Sequence, residues 1–281
     1  MVRVWGASMS DVTDRATRQL GVISDFAASV GVKGSDGSAL QALRVDSYKR
    51  LFVQDAPWWM RRNGGRPVFL DDFEGTLKWS APSGTITKDS TATFVHGGSY
   101  ALKGVTAATP SAAITAYWAG PKPKTTANTF VSCGLHFILN AAADTTPRSF
   151  EIDLRLYDGT NVYAALVRYW HYQTTSQKKW QYYNSSAVWT DVPSGALPII
   201  VTAAIYHDVE LVLKRTASAW EYYKLVVDGV ALDLAGLPIQ AGANTSAPYY
   251  ELQLLGITDA AIATTFYVDD LWLLEDLAAA D

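Results

Sequence analysis

The chain is short of cysteine, of charge and of long apolar runs. Its 281 residues hold one cysteine, Cys133, so no intrachain disulfide can form. Large secreted β-domains often carry disulfides, and their absence points to folding in a reducing cytoplasm. Charged residues make up 18%, below the ~25% of an average soluble chain. The formal net charge is -4, and beyond Arg61-Arg62 and Lys178-Lys179 no basic block stands out. The electrostatic footprint of a nucleic-acid binder is therefore missing. No apolar run approaches the ~20 residues a bilayer span needs, and the longest candidate, 198–206, is strand-sized. No membrane partner is expected. Residues 1–11 hold no apolar stretch of the leader type, so no signal peptide is expected. The four histidines, His96, His136, His171 and His207, are widely spaced and pair in sequence with no cysteine or second histidine. That excludes the spacing signature of a zinc site.

Aromatic residues are plentiful, with 10 Trp and 15 Tyr, a supply suited to broad sheet faces, glycan stacking or protein interfaces. From residue 68 the hydrophobic period is two. Phe150, Ile152, Leu154 and Leu156 alternate with Glu151, Asp153, Arg155 and Tyr157, as in a half-buried strand. Asp158-Gly159 and Asp228-Gly229 are hairpin turn signals, and a polar turn falls at Asn184-Ser185-Ser186. Leu70-Asp71-Asp72-Phe73-Glu74-Gly75 reads as an opening strand that breaks at Gly75. Thr265-Phe266-Tyr267-Val268-Asp269-Asp270-Leu271-Trp272 reads as a closing strand that should pair with it. Turn spacing and alternation together predict an all-β chain folded as an antiparallel β-sandwich.

Residues 1–67 lack this pattern. Ser10 or Asp11 caps a short predicted helix ending near Leu20, with Gly21 just beyond it. Arg44-Val45-Asp46 and Arg50-Leu51-Phe52-Val53 read as short extended pieces, and Asn63-Gly64-Gly65 as a hinge. Such a segment has little core of its own and gains by lying along another surface. The expected organisation is an extended N-terminal attachment arm at 1–67 with little regular structure, a sandwich at 68–276 and a short tail at 277–281. Arg15, Arg18, Leu20, Leu51, Phe52, Trp58 and Trp59 are the candidate partner anchors of the arm.

Asp72-Phe73-Glu74-Gly75 with Trp79, and then His96-Gly97-Gly98-Ser99-Tyr100-Ala101-Leu102-Lys103, resemble the opening of carbohydrate-binding-module jelly rolls. Tyr267-Val268-Asp269-Asp270-Leu271 is similar to their last strand, and 223–229 resembles the middle of concanavalin A-like and laminin-G-like sandwiches. The resemblance covers about 68–275 and implies a jelly roll. It also implies a structural Ca²⁺ near Asp72, Glu74, Asp269 and Asp270, whose oxygens suit a hard cation. The other reading of these four is that they cap turns and blunt the sheet edge. No other cofactor is expected.

Concanavalin-like glucanases carry a Glu-x-Asp-x-x-Glu strand, or the same with one residue fewer. Glu151-Ile152-Asp153 is similar to its start, but Arg155 or Leu156 stands where the third carboxylate belongs. A neighbouring arginine favours ionised carboxylates over a proton donor. Glu151, Asp153 and Arg155 are thus expected to form a solvated strand face with an ion pair, and no enzyme is expected. For glycan stacking the candidates are Trp170, Tyr172, Trp180 and Tyr182. Separately, 11–22 in the arm resembles a segment near the start of tailed-bacteriophage structural proteins. That implies a virion component of decoration, neck or tail type, assembled in the host cytoplasm. It would bind other virion proteins and copies of itself, with a homotrimer the expected state. The alternative is a carbohydrate-binding module that uses exposed aromatics on one sheet face.

Overall fold

The structure is a computed structural model. It describes residues 66–109, 112–120, 129–140, 148–171, 179–193, 205–258 and 263–275, together with 44–45 and 51–52. The chain divides into two units, 1–62 and 63–281. In the first, β1 (Arg44–Val45) pairs antiparallel with β2 (Leu51–Phe52), at the two extended pieces read from the sequence. Arg15, Arg18, Leu20, Trp58, Trp59, the predicted helix and the 277–281 tail lie outside the described residues. Of Leu51 and Phe52 only the backbone is described.

The second unit is nearly all strand. In chain order it contains β3 (Arg66–Asp71), β4 (Ser80–Ser83), β5 (Thr85–Asp89), β6 (Ala101–Val105), β7 (Ala112–Ala119), β8 (Phe130–Asn140), β9 (Arg148–Tyr157) and β10 (Asn161–His171). It continues with β11 (Lys179–Tyr183), β12 (Trp189–Asp191), β13 (His207–Arg215), β14 (Trp220–Val227), β15 (Val230–Asp233), β16 (Gln240–Ala243), β17 (Tyr249–Thr258) and β18 (Thr265–Glu275). Two antiparallel sheets result. The first runs β12-β11-β10-β9-β17-β7-β4, with β16 also paired to β10. The second runs β15-β14-β13-β8-β18-β6-β5, with β3 also paired to β18.

Alternation decides which face each strand buries. Along β9, Phe150, Ile152, Leu154 and Leu156 face the core. From β8 of the opposite sheet come Cys133, Leu135 and Phe137. Phe137 and Phe150 stack across the interior with ring centroids 4.5 Å apart, and Phe266 lies 5.3 Å from Phe150. Burying each such side chain stabilises the fold by about 1.5–3 kcal/mol. The β14–β15 hairpin shows how local chemistry fixes register. Asp228 and Gly229 have φ of +49° and +79° and connect the paired Val227 and Val230. Positive φ at both central residues is what a two-residue turn matching strand twist requires.

The first and last strands pair, with Leu271 opposite Asp71. The opening strand differs from expectation: it spans Arg66–Asp71 rather than running to Gly75. Phe73 has φ +56° and lies beyond the last paired residue, Asp71. The buried Asp71 carboxylate accepts the Phe73 amide at 3.1 Å and the Trp79 indole N–H at 3.0 Å. That side chain stops the strand and pins the following loop into the core.

Candidate functional site

Strand β10 changes partner midway. Residues 167–170 pair with β11, and residues 161–164 pair with β16. Between them, at Leu166, the ladder is open. Tyr222 of β14, in the other sheet, crosses the core to this point. Its hydroxyl accepts the Leu166 amide at 2.9 Å, and its one proton is shared between the carbonyls of Leu166 and Tyr183 at 3.0 and 2.9 Å. The backbone groups freed by the fork are thereby satisfied from below.

On the outer face the fork opens a cavity of about 370 Å³. Its floor is apolar, made by Val162, Ala164 and Leu166 of β10. Tyr157 and Arg155 of β9 stand on one side. On the other are Tyr183 of β11, Gln240 and Gly242 of β16, and Asn244. Register explains the grouping: Arg155 is opposite Ala164, Tyr157 opposite Val162, and Gln240 opposite Ala164. Paired residues share a face, so these side chains converge. A wall of tyrosine rings, a planar guanidinium and two carboxamides over an apolar floor suits a ligand with both C–H faces and hydroxyls.

Beside the cavity runs a row of charged groups. Asp153 accepts Arg155 Nε at 3.0 Å and Nη2 at 2.6 Å, and Arg155 Nη1 lies 3.5 Å from Glu251. Glu251 also accepts the Tyr157 hydroxyl at 3.2 Å and the Gln253 amide at 2.6 Å. Glu151 accepts the Ser149 hydroxyl at 3.0 Å and sits 3.6 Å from Arg168. This corrects the solvated face read from the sequence, because Glu151 and Asp153 are 4% and 1% exposed. Burial raises the pKa of both carboxyls, opposed at Glu151 by Ser149 and Arg168 and at Asp153 by Arg155. Burial works against charge on Arg155 too, yet its hydrogen bonds to Asp153 raise it further still. The third carboxylate missing from the β9 motif is supplied by β17, as Glu251 opposite Arg155. Its donors are already committed to holding it, and none of Glu151, Asp153 and Glu251 lines the cavity. The row therefore positions Arg155 and Tyr157 and does not present an acid–base pair to a ligand.

The glycan-stacking candidates divide between faces. Trp170 lies on the outer face, where the Arg168 guanidinium sits 4.8 Å from its ring and 4.1 Å from that of Trp189. Trp180 and Tyr182 are in the core, 5% and 8% exposed, and present no ring for stacking. The reason is register: Trp180 is opposite Tyr169, whereas Trp170 is opposite Lys179. Tyr172 lies outside the described residues. Tyr183 and Trp189 join Trp170 on the outer face, with the Tyr183 and Trp189 rings 5.1 Å apart.

Three of the four acids read as a calcium set gather around residues 96–100. Glu74 accepts the amides of Ser99 at 2.6 Å and Tyr100 at 2.8 Å. Asp269 accepts those of His96 at 2.8 Å and Gly97 at 3.0 Å. Asp270 lies 2.8 Å from His96 Nδ1. Asp72 is exposed and accepts only the Glu74 amide, at 3.2 Å.

No family model matches the chain, and no curated protein resembles it closely enough to align. Several solved structures are similar over most of the chain. The cellulose-induced protein Cip1 is 16% identical with a TM-score of 0.44, over 76% of this chain and 97% of that one. The carbohydrate recognition domain of Emp46p in its potassium-bound form is 8% identical with a TM-score of 0.45, over 72% and 93%. A carbohydrate esterase from the Shiga toxin-encoding bacteriophage phi24B is 14% identical with a TM-score of 0.43, over 70% and 89%. At these identities and TM-scores the likenesses do not say what this chain binds.

Proposed function

We propose that the chain is a carbohydrate-binding protein whose sandwich holds a short stretch of glycan in the cleft at the β10 fork, without cleaving it. The observation that carries this is the cleft's chemistry. Tyr183 can meet the C–H face of a sugar ring, while Tyr157, buried and stacked on Tyr249 with ring centroids 4.1 Å apart, forms the wall beside it. Gln240 and Asn244 offer both donors and acceptors to vicinal hydroxyls. At about 370 Å³ the cavity falls within the ~300–1,000 Å³ of small-ligand sites. Arg155 is already paired with Asp153 and lies near Glu251, so its charge is balanced and a neutral glycan is preferred to an acidic one. Trp170 and Trp189 extend the same face and would lengthen the platform for a longer chain.

The test is a glycan-array screen of the full chain, followed by calorimetric titration of Tyr183→Ala and Gln240→Ala. The expected result is binding of a neutral oligosaccharide, weakened at least about tenfold in each variant, roughly 1.4 kcal/mol. Absence of binding across neutral and acidic glycans, or unchanged affinity in both variants, overturns the reading.

A virion attachment role, with the sandwich displayed from an arm and the protein assembled as a trimer, is a separate proposal resting on the resemblance at 11–22. Limited proteolysis of the full chain, read by intact mass, tests it. Rapid loss of a fragment ending between residues 31 and 67 supports an arm that awaits a partner, and uniform resistance from Met1 onward counts against it.

A further inference from the structure

The second sheet has its own interruption. Along β18, residues 265–268 pair with β6 and residues 271–275 pair with β3. At the handover the register against β8 slips between Asp269 and Trp272, and Asp270 adopts φ +47°. A bulge with a left-handed residue re-aims its side chain out of the pleat, and such strain gathers at functional positions. The Asp270 carboxylate is turned toward two histidines. Its Oδ2 lies 2.8 Å from His96 Nδ1 and 3.3 Å from His136 Nδ1, and the imidazoles stack at 3.7 Å.

Each ligand is fixed by a different element. His96 is held through its own amide and that of Gly97, both bonded to the buried Asp269. His136 belongs to β8 and is the direct cross-strand partner of Asp208 in β13, whose Oδ1 lies 2.7 Å from His136 Nε2. With Nε2 engaged by a carboxylate, Nδ1 is the nitrogen that faces Asp270. This is the carboxylate–histidine arrangement that orients imidazole ligands on metals. Tyr206 closes the side of the site, its ring 5.2 Å from that of His96 and its hydroxyl donating to the Phe94 carbonyl at 2.6 Å.

We propose that His96, His136 and Asp270 form a binding site for one divalent transition cation of the zinc class, oriented by Asp208 and serving to clamp residues 96–100 onto β8 and β18. The three ligand atoms lie within 4.8 Å of one another, and tetrahedral zinc with bonds of about 2.0–2.2 Å to nitrogen and oxygen needs little more than their closing together. Two imidazoles with one carboxylate select zinc, copper or nickel. Calcium asks for six to eight oxygens, which this set does not offer. His96, with its side chain 41% exposed, gives the ion a path in and leaves a fourth position for water. The site lies on the sheet opposite the cleft, and the inference stands whether or not the cleft binds glycan.

The test uses tag-free, chelator-treated full chain, titrated separately with Zn²⁺, Co²⁺ and Ca²⁺ and followed by calorimetry, thermal unfolding and the visible spectrum of Co²⁺. The expected result is one Zn²⁺ per chain, an upward shift of Tm by several degrees, and a tetrahedral Co²⁺ spectrum. His96→Ala, at the exposed ligand, and Asp270→Asn, which tolerates the left-handed backbone, should lose at least tenfold in affinity and lose the shift. His207→Ala should keep both. Failure to bind Zn²⁺ overturns the proposal, as does binding that survives in both ligand variants. A Tm raised by Ca²⁺ and not by Zn²⁺ also overturns it, in favour of the oxygen set Asp72, Glu74, Asp269 and Asp270.

Discussion

The hydroxyl of Tyr222 and the backbone of Leu166 are bonded in both directions, amide to hydroxyl at 2.9 Å and hydroxyl to carbonyl at 3.0 Å, although the two residues belong to different sheets. Burial pushes this phenol well above its ordinary pKa, so it remains a donor. Tyr222→Phe keeps the ring and removes the bridge, leaving the Leu166 amide without this acceptor. The expected cost is about 1–3 kcal/mol, the penalty for an unsatisfied buried group. It should appear as a lower urea midpoint at unchanged m-value. An unchanged midpoint would show that water replaces the phenol.

Gly134 in β8 is opposite Trp272 in β18, and the indole lies over it. A Cβ built on Gly134 would overlap Cζ2 and Cε2 of Trp272. Gly134→Ala should destabilise by about 1–3 kcal/mol, the usual cost of overpacking. Adding Trp272→Phe should recover part of the loss, so the two changes are less than additive. Thermal unfolding of the four proteins measures the coupling, and strict additivity would refute the packing argument.

The buried Glu151 gives a signed pH prediction. Burial raises its carboxyl above the ordinary range, in excess of what Ser149 and Arg168 return. The folded state then holds the proton more tightly than the unfolded state. Stability contributed this way is present at low pH and is lost as pH rises through the folded pKa. Glu151→Gln, which mimics the protonated acid, should be more stable than the parent at pH 8 and equal to it near pH 4. Tm measured across that range decides. Asp153, raised by burial as well, leaves some slope in the variant. A variant less stable than the parent at pH 8 would mean that Arg168 outweighs burial.

Cys133 is fully buried, and its thiol is pushed far above the ordinary range by burial, with a smaller contribution from Glu210. A thiolate is the reactive species. Labelling by a disulfide reagent should be negligible in the native protein and should follow the global unfolding rate in denaturant. Rapid labelling in buffer would reveal local opening between β8 and its neighbours.

The sandwich was legible where alternation is strict. Phe150 to Tyr157 declares its two faces, and Asp228-Gly229 declares its turn. The expected pairing of the opening and closing strands holds, through Arg66–Asp71 against β18. The end of β3 was not legible, because nothing in Asp71-Asp72-Phe73 announces that Phe73 turns left-handed. Neither candidate site was legible as a site. Trp180 and Trp170 look equivalent in sequence and fall on opposite faces, since register between strands is invisible to a single chain and a one-residue difference inverts the face. His96 and His136 read as isolated, because the bulge that turns Asp270 toward both is a property of three strands together. Glu251 was overlooked for the same reason: its relation to Arg155 exists only across the β9–β17 ladder.

Each sheet exchanges one neighbour for another partway along a central strand, β10 at Leu166 and β18 at Asp269 and Asp270. Such a seam separates the parts that shape the outer surface from the parts that hold the sandwich core beneath. Residues 234–239, which lead into β16, contribute Leu234 and Ile239 to the core, whereas residues 245–247, just after β16, are exposed, so a change of loop length there could reshape the rim of the cleft at Asn244 while leaving β9, β10 and their core partners in place. The shape of the cleft can thus change with loop length while the interior stays as it is.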